Sequence, residues 1–133
     1  MHPIFSRRAW GLTILEPWRV QEAEGCIEIT QPEGIGALHI SGARKKAGHV
    51  QEDETLSELR SKIGEDTNIE RAVLGDFAGY ASEETDWHTN RFCKKWFLGY
   101  REHLLFVTYT CKQGDEGLEL PQVTSLLTSL RLK

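Results

Sequence analysis

RFCKKWFLGYREHLLFVTYTC, residues 91–111, decides the fold. Two runs within it, 91–99 and 104–111, are rich in aromatic and β-branched residues, which pack well on a pleated surface. Tyr100-Arg101-Glu102-His103 joins them, so the whole stretch reads as a β-hairpin. The segment LLFVTY, residues 104–109, is apolar on both faces. A strand of that kind is covered from both sides and belongs at the centre of a sheet. Cys93 and Cys111 stand on the two arms. A connection with an odd number of residues would set them opposite each other. The connection 100–103 would make them miss by one position, with no disulfide geometry between them.

Working outward, strands of weaker signal lie on the N-terminal side. Gly11–Leu15 reads as a first strand stopped by Pro17. CIEITQ (26–31) and ALHIS (37–41) both alternate apolar and polar residues around the Pro32-Glu33-Gly34 turn, which makes a second hairpin. Thr55 and Glu58 have the spacing of a capping box, and Leu56, Leu59 and Ile63 form one helical stripe, so a short helix is expected over roughly 54–63. Residues 70–85 carry Gly75 and Gly79 and read as two short strands or as one bent strand with a bulge. Pro121 is expected near the first turn of a closing helix whose buried stripe is Val123, Leu126, Leu127 and Leu130. The pattern predicts an α+β fold: a mainly antiparallel sheet of about six to seven strands, with two amphipathic helices packed on it, one on each face. Residues 1–133 are read as a single domain, with 1–9 as a loose N-terminal arm.

Composition narrows the function classes. The net charge is −4, and the basic runs Arg7-Arg8 and Arg44-Lys45-Lys46 are short and flanked by acids, so no nucleic-acid partner is expected. No window approaches the ~20 apolar residues of a membrane helix, and the N-terminus lacks the order of charges and apolar run of a signal peptide. The expectation is a cytoplasmic protein with no membrane partner. Cys26, Cys93 and Cys111 form no CxxC pair and read as reduced thiols. His2, His39, His49, His88 and His103 include no i, i+4 helical pair and no HExxH, so no metal site is expected. GIGALHISG lacks the GxxxxGK[ST] pattern, and no cofactor is expected.

The most suggestive chemistry lies in GYASEETDWHTNRFCKKW, residues 79–96. A general base at His88 would need an orienting carboxylate and a nucleophile, and Cys93 lies five residues on. No nucleophile-elbow or cysteine-protease signature accompanies them. The bland reading is a polar hairpin loop, with Trp87 as a binding anchor of the kind enriched in interface hot spots.

The chain resembles the PsbP/Mog-like fold family. The likeness is carried by Pro17-Trp18, CIEITQPEGIGALHISG, the acid-capped helix, AVLGDFAGY, KKWFLGY leading into HLLFVTYTC, and the closing Val123, Leu126-Leu127 and Ser129-Leu130-Arg131. Members of that fold class are mostly non-enzymatic, so the resemblance implies protein binding and carries over no site residue. The expected function is a non-catalytic protein-binding module: an adaptor, a chaperone or an immunity-like inhibitor of another protein. Its binding residues are expected to be Trp87 and His88, with Trp10 and Trp18 on neighbouring loops. Homodimerisation through an edge strand is an open alternative. The competing expectation is a small hydrolase or redox enzyme using His88 with Cys93 or a nearby carboxylate. A third, a small ligand held between helix and sheet, has no marker in the sequence.

Overall fold

The computed structural model describes residues 9–23 and 25–132, together with the backbone of 4–6. In chain order the elements are β1 (Ile4–Ser6), β2 (Trp10–Thr13), β3 (Arg19–Ala23), β4 (Cys26–Thr30), β5 (Gly36–Arg44) and α1 (Glu52–Arg60). They continue with β6 (Ile69–Leu74), β7 (Phe77–Asp86), β8 (Arg91–Tyr100), β9 (His103–Lys112), α2 (Glu116–Thr128) and β10 (Arg131–Leu132). Seven strands form one antiparallel sheet in the order β3-β4-β5-β9-β8-β7-β6. A second, three-stranded sheet has the order β1-β2-β10. The α+β expectation therefore holds, and the apolar β9 sits at the centre of the larger sheet with β5 on one side and β8 on the other.

Alternation sorts the side chains onto two faces. Ile27, Ile29, Leu38, Ile40, Phe77, Trp96, Leu98, Leu105 and Val107 are buried on one face. They form one cluster with Leu12 of the small sheet and with Val123, Leu126, Leu127 and Leu130 of the closing helical segment. The other face carries Phe97 stacked on Phe106, with ring centroids 4.5 Å apart. There α1 lies over β7 and β8, burying Leu59 and Thr55. Each face of the sheet thus has its own helix, as the pattern predicts.

Several boundaries differ from expectation for physical reasons. The 70–85 segment is a true hairpin, β6 and β7, turning at Gly75 and Asp76 without a bulge. The first helix starts at Glu52: three acids occupy its first turn, where the helix dipole favours them, and the Glu54 carboxylate accepts the Gln51 N–H at 3.1 Å. Thr55 is therefore inside the helix, its hydroxyl donating to the Glu52 carbonyl at 2.6 Å, and Ile63 lies beyond the helix end. The closing helix begins at Glu116, a full turn before Pro121. That extra turn carries Glu119 inward to Tyr109, whose hydroxyl donates to it at 2.6 Å. Strands β3 and β10 have no counterpart in the sequence reading. Of the expected loose arm, residues 1–3 and 7–8, with His2 and Arg7-Arg8, lie outside the described residues, and Ile4–Ser6 pairs with β2.

The β8–β9 register sets Phe92 opposite Cys111 and Cys93 opposite Thr110. The two cysteines miss by one position and point to opposite faces, and all three thiols are free.

Candidate functional site

Strands β7 and β8 pair without interruption from Ala78↔Gly99 to Asp86↔Arg91, and residues 87–90 make the turn at their end. Local chemistry fixes this tip. The Asp86 carboxylate accepts the backbone N–H of His88 at 2.9 Å and of Thr89 at 3.4 Å, an Asx-type turn. Asn90 closes the turn at φ 56°, a left-handed conformation that asparagine tolerates. Its carbonyl accepts the Gln113 N–H at 2.9 Å, and the Thr85 hydroxyl donates to the Gln113 side chain at 3.3 Å. The tip is thereby tied to the connection between β9 and α2. Trp87 stands on it 73 % exposed. Leu118, in the first turn of α2 at the same end of the sheet, is 69 % exposed.

The expected site residues divide. Trp87 and His88 are exposed together on the tip. Trp10 and Trp18 are not: they are only 5 % and 4 % exposed and belong to the core cluster. Trp10 lies on β2, and the Trp18 indole N–H donates to the Gln122 side chain at 3.1 Å, so both are packing residues that join the small sheet and α2 to the main one. An indole that buries its ring and satisfies its N–H is stabilised in the interior, which sequence alone does not distinguish from an exposed position. Cys93 lies on β8 two rungs below Arg91, across from Glu84, and its thiol donates to the Lys94 carbonyl at 3.9 Å. Burial pushes that thiol above its ordinary value, the Lys95 charge opposes the rise and Glu84 adds to it. A thiol held in its protonated form is a poor nucleophile. Among the described residues no hydrogen bond joins His88 to Cys93.

Sequence reasoning missed a cleft beside the tip. It has a volume of ≈ 520 Å³ and is lined by residues 66–70 and 81–85. Strand β6 begins at Ile69, opposite Ser82, so β7 runs on past it from Glu83 to Asp86, and the connection before β6 lies alongside. Glu70 and Glu83 share Lys94, at 3.3 Å each. Lys95 donates to the Lys62 carbonyl at 2.9 Å, pinning the connection that follows α1. Ser82 is 3 % exposed and its hydroxyl has no hydrogen-bond partner among the described residues; the same holds for the buried Oε1 of Glu84. The only sequence signal was SEET, residues 82–85, where acids continue a strand beyond its apolar part.

No family model matches the chain, and no curated protein matches it. The fold recurs in a solved structure. A crystal structure from Bacteroides thetaiotaomicron superposes with a TM-score of 0.67 over 93 % of this chain, at 12 % identity. The chain spans 45 % of that protein's length. A likeness at that identity concerns the course of the backbone alone, and the site is read from its own side chains.

Proposed function

We propose that the chain is a non-catalytic protein-binding module, an adaptor, chaperone or immunity-like protein acting in the cytoplasm, with the β7–β8 tip as its contact surface. The carrying observation is Trp87, 73 % exposed on a turn held by the Asp86 and Asn90 hydrogen bonds. A tryptophan on a turn whose backbone is already ordered offers a large apolar area to a partner at a reduced entropic cost. The PsbP/Mog-like resemblance, whose members are mostly non-enzymatic, supports the same reading. The outer strands of the main sheet carry Arg19, Glu22, Glu70 and Arg71, charges that disfavour edge-on pairing with a second copy. A different protein is therefore the favoured partner over a homodimer.

Affinity capture from the native host, run in parallel with wild-type protein and a Trp87→Ala variant of equal thermal stability, tests this. We expect one stoichiometric protein partner whose affinity falls by at least about 30-fold in the variant, the effect of a hot-spot residue worth ~2 kcal/mol. Equal capture by both proteins would remove the tip from the interface, and no partner for the wild type would overturn the binding reading.

A further inference from the structure

We propose that the cleft beside the tip binds an organic cation, the alkylammonium or alkylguanidinium head of a free amine or of a lysine or arginine side chain. The site goes beyond the tip reading and stands without it. Two acceptors define it: the Ser82 hydroxyl oxygen and Oε1 of Glu84, both buried and both without a donor among the described residues. Buried acceptors normally have donors, and each one left unmatched is a free-energy debt that a ligand N–H can cancel. The charge balance has the same sign. Glu70 and Glu83 share the single positive charge of Lys94, which leaves one negative charge over, and Glu84 and Asp66 form no ion pair among the described residues; even with the Lys95 ammonium, which donates to the Lys62 carbonyl, the cleft stays net negative. The walls add Thr67, Asn68 and Thr85 as further polar groups.

Geometry selects an organic cation over a metal ion. Among the described residues, no group of three or more His, Cys, Asp or Glu side chains converges closely enough to hold a metal. A metal ion needs its ligands within about 2.0–2.6 Å of one point. A guanidinium fork or an ammonium head carries its donors outward and can meet dispersed acceptors, and a volume of ≈ 520 Å³ accepts the head with part of its alkyl stem.

The test is a titration of isotopically labelled protein with agmatine and with cadaverine, followed by backbone amide NMR. Butylurea serves as the neutral shape match and sodium chloride as the ionic-strength match. We expect saturable shifts concentrated at residues 66–70 and 81–85 with both amines and with neither control. Glu84→Gln is expected to weaken binding at least about tenfold, the loss of one charge-assisted hydrogen bond. Ser82→Ala is expected to weaken it severalfold while leaving thermal stability unchanged or higher, because the deleted hydroxyl has no partner among the described residues. A purely structural serine would instead lower stability. Absence of saturation, an equal response to butylurea, or unchanged affinity in Glu84→Gln overturns the site. An acetylated, amidated Gly-Arg-Gly peptide separates the sources: tighter binding than agmatine assigns a protein side chain, weaker binding a free amine. Agmatine binding retained alongside a failed partner capture would sink the tip reading and leave this one standing.

Discussion

At the scale of single residues, the tightest polar constraint is the seat of Glu119. It is 2 % exposed, and its carboxylate accepts from the Tyr109 hydroxyl at 2.6 Å, from the Gln31 side-chain amide and from the Ile35 N–H at 3.4 Å. Three donors from β9 and the β4–β5 connection converge on one helical side chain, so a buried carboxylate here fixes the place of α2. Tyr109→Phe deletes one donor and strands Oε1, with an expected loss of about 1–3 kcal/mol in chemical denaturation. The same pair gives a pH signature. Burial first, then the hydrogen bond and the charge of Glu119, raise the Tyr109 phenol well above its ordinary value of 10.0. The folded state therefore keeps a proton that the unfolded chain releases near pH 10.0, so the contribution is complete below that pH and is lost as pH rises beyond it. Stability should fall by up to ~1.4 kcal/mol per pH unit from this group alone. Because phenylalanine cannot ionise, the gap between wild type and Tyr109→Phe should narrow above pH 10.0. A constant gap up to the alkaline limit would show that Tyr109 is not the group responsible.

At the scale of elements, the hairpins are set by backbone proximity as much as by side chains. A Cβ added at Gly79 would fall 1.9 Å from the Phe97 carbonyl oxygen on the paired strand. Backbone cannot yield as a side chain does, so Gly79→Ala must separate β7 from β8, with an expected loss of about 3 kcal/mol or more. A loss below about 1 kcal/mol would mean the ladder adjusts freely at that rung. The elements legible in the sequence were those with a full apolar rhythm: β4, β5, β8, β9 and the buried stripe of α2. Strand β3, RVQEA, lies at the sheet edge with only Val20 and no other residue even half-buried, so it has no alternation to read. β10 is two residues long and exists through its pairing with β2. Pro121 reads as a helix start, and the turn before it is held by Glu119 contacts to Gln31, Ile35 and Tyr109 that local sequence does not show. The same limit governed the site. The tip was legible because Asp86 to Asn90 is local chemistry. The cleft was not, since it arises where residues 66–68 come alongside the end of β7. Trp10 and Trp18 were misplaced because their partners lie at the other end of the chain.

At the scale of the whole molecule, those misplaced tryptophans are the evidence for one cooperative unit. Trp10 and Leu12 of the small sheet share a cluster with Trp96 of the central hairpin and with α2. β2 is sandwiched between β1 and β10, so chain segments from both ends close the layer. The turn of the β6–β7 hairpin then locks the C-terminal segment: the Leu132 N–H donates to the Asp76 carboxylate at 2.9 Å, and the Asp76 N–H to the Leu130 carbonyl at 3.0 Å. Removing residues 131–133 deletes β10, one of the two partners of β2, and the Leu132–Asp76 bond while leaving the seven-stranded sheet intact. Two ladder positions and one charge-assisted hydrogen bond are worth roughly 1–3 kcal/mol. The truncated chain should lose that much and still unfold in a single transition, because Trp10 and Leu12 stay packed on α2 and the main sheet. Far-UV circular dichroism and tryptophan fluorescence are independent probes here, since Trp10, Trp18 and Trp96 are buried at separate places in the cluster and Trp87 reports only solvent. Coincident urea curves from the two probes, shifted together by the truncation, are the expected result. A fluorescence transition that precedes the loss of dichroism would make the small sheet an independently melting layer, and the single shared core would then be the wrong description.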